Sequence, residues 1–227
     1  MDLPLATSLR ALLRPTRAFG DPPPALGKAL ANMLLVWFPL ALINSLWTVW
    51  HGLAAYAGLQ SGGASAELLQ RLGVDPADLQ VFLASLPPPP AFGRIWPWLL
   101  VAVPLGILGT WLHDAVWDHA GLWLVGGLRS KQGFRTSLVA EAEALRVTAV
   151  GTFLGFLAWL PGVGGLLTLP LLLLEAYLWI FRGFALAARH RCEPWRGVLA
   201  TVIHAVLFGA FALALLAMML VVARMSA

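Results

Sequence analysis

Residues 147–174 read VTAVGTFLGFLAWLPGVGGLLTLPLLLL and carry no charged side chain. A helix crosses the hydrocarbon layer in about 20 apolar residues, because the layer is ~30 Å thick and each residue rises ~1.5 Å. The run is therefore too long for one crossing. Pro161-Gly162-Val163-Gly164-Gly165 interrupts it with turn-forming residues. The stretch is read as the meeting of two membrane-spanning helices, one near 138–160 and one near 166–187.

Outward from this stretch, the same reading finds a first span at 29–50 and a second at 95–112, with a helix able to continue past His113. A last span covers about 197–222 and is closed by Arg224. Pro39, Pro104 and Pro170 lie in or near spans and are read as kinks, which neighbouring helices tolerate. The expected fold is an all-α membrane protein: a five-helix transmembrane bundle with an amphipathic N-terminal interfacial helix. Composition agrees. Of 227 residues, 59% are apolar and 11% charged, against about 45–50% and about 25% in soluble domains. A soluble enzyme, a nucleic-acid-binding domain and a disordered chain are excluded on that ground. The net charge of +4 is what basic cytoplasmic loops produce.

Basic residues set the sidedness. With the N-terminus inside, Arg10, Arg14, Arg17, Lys28, Arg129, Lys131, Arg135, Arg146, Arg182, Arg189, Arg191 and Arg196 share the inner side, and only Arg71, Arg94 and Arg224 fall outside. This favours N-in and C-out. No secretory signal is read at the start, because Arg10, Arg14 and Arg17 precede the first long apolar run by many residues. Cys192 is the one cysteine, so no intramolecular disulfide forms and the thiol is expected to be free.

Residues 1–28 are read as a cytoplasmic amphipathic segment, and 29–227 as the five-span membrane domain. Arg10, Arg14 and Arg17 share one helical face, opposite Leu5, Leu9, Leu12 and Leu13, and would meet anionic lipid. Pro15 should break this helix near Arg14. An outer helical loop is expected at about 57–94. Ser65 would cap a short helix ending at Gly73, Asp75-Pro76 would start another, and SLPPPP at 85–90 would form a stiff connector. Leu68, Leu69, Leu79, Val81, Phe82 and Leu86 would rest these helices on the bilayer as a lid.

Short features along the chain resemble a known family. Arg14-Pro15-Thr16-Arg17-Ala18-Phe19 precedes the first span, and Gly126-Gly127 follows the long second helix. Leu160-Pro161-Gly162-Val163-Gly164 ends the third span, and the fourth carries Trp179 and Gly183 and leads to His190. From about residue 10 to 222 the chain resembles the Yip family, the Ypt/Rab-interacting membrane proteins, in its prokaryotic branch. The resemblance implies a five-span bundle with a cytosolic N-terminus and no catalytic residues. Eukaryotic members take part in vesicle traffic and bind prenylated small GTPases. The two lysines, in a background rich in Ala, Leu, Arg and Pro, look like a high-GC bacterial sequence. The expected place is therefore a bacterial cytoplasmic (inner) membrane, where the GTPase role does not transfer.

No phosphate-binding loop, HExxH pair or GxSxG elbow is present. GGLRSKQG at 126–133 is read as a helix break. Two polar groupings remain. His113, Asp114 and Asp118 in HDAVWDH, with Glu141 and Glu143 on the same side, are the residue types that ligate a divalent metal; carboxylates and imidazoles at a wet helix end are the plainer reading. Glu175, deep in the fourth span, has Arg182 at i+7, with His204 at similar depth to Arg182 and Arg146 entering from the same side. An intramembrane polar cluster of these four is expected, because a carboxylate in hydrocarbon seeks the bundle interior. Gly151 and Gly155 form GxxxG, read as packing within the chain. Trp47, Trp50, Trp96, Trp98 and Trp159 are read as aromatic belts near the outer ends of spans.

Three functions fit. The first is a non-enzymatic scaffold or organiser acting through membrane lipids and other membrane proteins or through self-association, with no cofactor and no nucleic acid. The second is a transporter or channel subunit using Glu175 and His204. The third is an intramembrane metal enzyme built on His113, Asp114, Asp118 and Glu141.

Overall fold

A computed structural model of the chain describes residues 10–60, 73, 75–128, 132–160 and 162–225. Leu5, Leu9, Ser65, Leu68, Leu69, Arg71, Arg129, Lys131 and Pro161 lie outside the described residues, as does the side chain of Leu79. The described chain is helical, with no strand: α1 is Pro15–Ala18, α2 Leu26–Gln60, α3 Pro76–Ser85, α4 Phe92–Leu124, α5 Phe134–Gly155, α6 Gly164–His190 and α7 Pro194–Met225. A 3₁₀ turn, Phe156–Trp159, follows α5.

Four of these helices, α2, α4, α6 and α7, are long and apolar enough to cross a membrane. That makes the chain compatible with a multi-pass membrane protein. The remaining expected span is α5, which differs in kind. It carries Arg135, Glu141, Glu143 and Arg146, and twelve of its residues are buried, from Ser137 to Gly151. α5 is thus the internal helix of its unit, shielded by protein along most of its length. α7 is the converse: from Ala205 to Val222 every side chain is apolar or glycine and exposed. An exposed apolar stretch that long is what lipid or a partner covers.

The chain divides into two compact units. Phe38–Gly106 holds the second half of α2, α3 and the first half of α4. Asp75 accepts the N–H of Ala77 at 2.7 Å, and Pro76 occupies the first turn, so α3 starts where its sequence predicts. The proline connector is tied to the end of α2: Tyr56 donates to the carbonyl of Pro87 at 2.7 Å, and Gln60 Nε2 donates to the same carbonyl at 2.9 Å. Trp50 and Phe92 meet edge-on at 5.5 Å. Trp47, Trp50, Trp96 and Trp98 are all exposed.

The other unit, Met1–Trp37 with Ile107–Ala227, holds the core. α6 packs on both α5 and α7. Its contact with α7 is backbone on backbone: a Cβ at Gly183 would lie 2.6 Å from the Val198 main chain, and Gly197 faces the Gly183 carbonyl. Gly121 likewise abuts the carbonyl of Ala200, where a Cβ would sit at 2.6 Å. Gly151 rests against Leu178 of α6, while Gly155 has open space beside it. Indole N–H groups stitch the helices: Trp37 donates to Leu145 O at 2.5 Å, Trp111 to Leu138 O at 2.9 Å and Trp179 to Thr201 O at 2.9 Å. α4 ends at the double glycine, where Gly126 has φ of 69° and Gly127 donates back to Leu122 O at 2.8 Å.

The N-terminal segment is broken at Arg14, before Pro15, as expected of proline. Arg10, Arg14 and Arg17 are exposed, as is Leu13. Leu12 and Phe19, however, are buried against Val147, Val150, Leu178, Phe181 and Ala185. Tyr177 donates to the Leu12 carbonyl. Among the described residues the segment is therefore docked on α5 and α6 through its apolar side.

Candidate functional site

The polar groups of α4, α5, α6 and α7 converge on Arg182. Asp114 and Asp118 are one turn apart on α4 and face the same way. The guanidinium engages three carboxylates: Nη1 lies 3.1 Å from Asp114 Oδ2, Nη2 2.8 Å from Asp118 Oδ2, and Nε 3.1 Å from Glu141 Oε2. A planar fork of five donors suits such a three-way grip, which a lysine could not make. Arg182 is 4% exposed, and Asp118 and Glu141 are fully buried. Trp179, one turn earlier on α6, places its ring 4.6 Å from the guanidinium carbon.

His204 extends the cluster. Its Nδ1 is 2.6 Å from Asp118 Oδ1. The ring is fully buried, with Trp117 stacked at 6.1 Å and Trp179 at 5.1 Å. His113 Nδ1 stands 3.2 Å from Asp114 Oδ1, with its side chain 38% exposed. The His113 and His204 rings are 5.2 Å apart. Two buried atoms, His204 Nε2 and Glu141 Oε1, have no hydrogen-bond partner among the described residues.

Three carboxylates around one guanidinium leave a formal surplus of two negative charges when the histidines are neutral. Such a surplus is costly in a low-dielectric interior, where each unsolvated ion costs several kcal/mol. The cluster therefore calls for added positive charge, from protons or from a cation.

A second layer lies toward the ends of α5 and α6. Ser137 Oγ bridges His119 Nδ1 and His190 Nε2, each at 2.8 Å. Arg189 grips Glu143 with two nitrogens, at 2.6 and 2.8 Å, and donates from Nη1 to the carbonyls of Asp21 at 2.6 Å and Phe19 at 3.3 Å. Beside it lies a cavity of about 640 Å³, lined by Asp21, Gln132, Arg135, Thr136, Arg189 and Arg191 among others. Arg135 and Arg191 are exposed there. Cys192, just past α6, is a free, half-buried thiol whose pKa is pushed up by burial and by the nearby Glu193 carboxylate.

The structure thus distributes the expected residues differently from the sequence count. Arg182 and His204 are in the cluster, joined by Asp114, Asp118 and Glu141 in place of Glu175 and Arg146. Glu175 is exposed, with its carboxylate beside Gly151 and no hydrogen bond or ion pair to a described residue. Arg146 is exposed as well. Of the metal-type residues, His113 and Asp114 come together with His204, while Asp118 and Glu141 are turned to Arg182. The role of Asp118 as the link between Arg182 and His204 was missed in the sequence; its one signal was the i, i+4 pair on α4.

Compared with protein-family models, with curated proteins and with solved structures, the chain matches none.

Proposed function

We propose that the chain is a non-enzymatic organiser of membrane partners in a bacterial cytoplasmic membrane, of the kind the Yip resemblance implies. In this reading α5 is the fifth membrane-embedded helix, the N-terminus is inside and the C-terminus outside. The observation that supports it is the closure of the Arg182 cluster. All three guanidinium nitrogens are engaged by carboxylates from two other helices, and the group is buried. Such a knot fixes how α4, α5 and α6 meet, which serves a rigid platform. The cavity with exposed Arg135 and Arg191 supplies a basic surface at the inner end, suited to anionic lipid.

One observation favours the second reading, transport. The surplus negative charge, with Glu141 Oε1 unsatisfied, is a place where a proton can rest. Flux measurements on the purified chain in liposomes separate the two. An organiser leaves proton and cation flux at the level of empty vesicles, and co-purifies with membrane proteins in fixed ratio from native membranes. Flux that disappears in Glu141→Gln would overturn the organiser in favour of a transporter.

A further inference from the structure

We propose that His113, Asp114 and His204 form a binding site for one divalent transition-metal ion. One ligand atom from each lies within 4.8 Å of the others. Tetrahedral zinc, with bonds of about 2.0–2.1 Å, holds its ligand atoms roughly 3.4 Å apart. The ligand atoms would close in by up to roughly 1.4 Å on binding, with His113 the partly exposed member.

The preparation of His204 carries the inference. A metal-bound histidine presents one ring nitrogen to the ion and donates the other N–H to a carboxylate. His204 Nδ1 is committed to Asp118 Oδ1 at 2.6 Å. That leaves Nε2 as the lone-pair nitrogen, and Nε2 is buried without a hydrogen-bond partner. Asp118 is itself held by Arg182 at 2.8 Å, so the imidazole is oriented through a chain of fixed groups. A buried imidazole nitrogen with nothing to bond is costly unless a ligand fills the place.

Charge agrees independently. Arg182 is repulsive to a cation, but Asp114, Asp118 and Glu141 outweigh it by two negative charges. A divalent ion matches that surplus. Two imidazoles with one carboxylate favour zinc, iron, nickel or copper over magnesium or calcium, which want oxygen ligands. The site is independent of the organiser role: a resident ion would brace α4 against α7 whatever the partners are.

The test uses the full chain in detergent, stripped with a chelator and titrated with Co²⁺ as the spectroscopic probe and Zn²⁺ as competitor. One Co²⁺ per chain should bind with the intense visible bands of four- or five-coordination, and Zn²⁺ should displace it where Mg²⁺ does not. His113→Ala leaves the buried cluster intact, and with Asp114→Asn should lose at least the roughly 10–100-fold in affinity that removing even an outer partner costs. Asp118→Asn should lose about 10–100-fold by freeing the His204 ring. His51→Ala, an exposed histidine elsewhere, should bind as the wild type. If wild type and His113→Ala bind alike, if Co²⁺ keeps its aqueous spectrum, or if His51→Ala weakens binding as much, the site does not exist and the surplus charge is met by protons.

Discussion

At Arg182, one side chain holds three carboxylates drawn from two helices. Removing it strands them. Arg182→Met should destabilise the bundle by about 3–5 kcal/mol, the usual cost of leaving buried charge uncompensated, read as a lower midpoint in SDS-induced unfolding. Adding Asp118→Asn and Glu141→Gln to Arg182→Met should recover much of that loss; no recovery would mean that packing, not charge, is what Arg182 supplies. Glu175 gives the opposite expectation. It is exposed and makes no ion pair with a described residue, so Glu175→Leu should be neutral or stabilising in a bilayer, where an intramembrane carboxylate costs a few kcal/mol on insertion scales. Loss of stability in that variant would show that Glu175 has a polar partner after all. The sequence made Arg182 and His204 legible by their depth. It ranked Glu175 beside them by the same measure, and there it misled. Counting residues along a span fixes height in the membrane but not the compass direction of a side chain. That direction depends on how helices rotate to satisfy one another. Asp114 and Asp118 signalled only that they shared a face.

The helices themselves were more readable. Turn residues at Gly126-Gly127 and at Gly162 mark real ends, because backbone that must turn left-handed leaves its chemistry in the sequence; Arg191 at the end of α6 turns left-handed at φ 52° without a glycine and gave no such signal. α4 runs on past His113, as expected, to Leu124, whereas α2 continues to Gln60, ten residues beyond its expected span, since hydropathy marks the bilayer and not the helix. The closest packing was invisible, because Gly183 and Gly197 resemble any other glycine until α6 and α7 are laid together. Gly183→Val should therefore disrupt the α6–α7 contact by about 1–3 kcal/mol or more, as overpacking does. Gly155→Ala, with open space beside it, should be near neutral. Unfolding of the two variants side by side checks this; equal effects would place the contact elsewhere.

For the molecule as a whole, the fate of α5 decides the topology. At 22 residues it is about 33 Å long, enough to cross, yet its first half is charged and its shield is protein. If it crosses, the termini lie on opposite sides. Sites near residues 132 and 192 and at the N-terminus should then react only from the cytoplasm, and sites near 63 and after 224 only from outside. Termini found on one side would leave four crossings. Cys192 offers a native probe. With its pKa pushed above the ordinary thiol value, it is almost wholly protonated at pH 7. Maleimide labelling from the inner side should accelerate by about tenfold per pH unit between 7 and 8.5, following the thiolate fraction. A flat rate would mean that access, not ionisation, limits the reaction.

The docking of the N-terminal segment sets a timetable for biogenesis. Leu12 is held by Tyr177, and Asp21 by Arg189, partners 165 and 168 residues later in the chain. At about 5–20 residues per second, a ribosome needs roughly 10–30 s to deliver them. Throughout that interval the first residues have no place to dock, and their apolar side is open to chaperones, proteases or the membrane surface. The segment around residues 12–21 is thus made long before the helix that holds it. Its capture reports that α6 has arrived, while α7, which also packs on α6, is still to come.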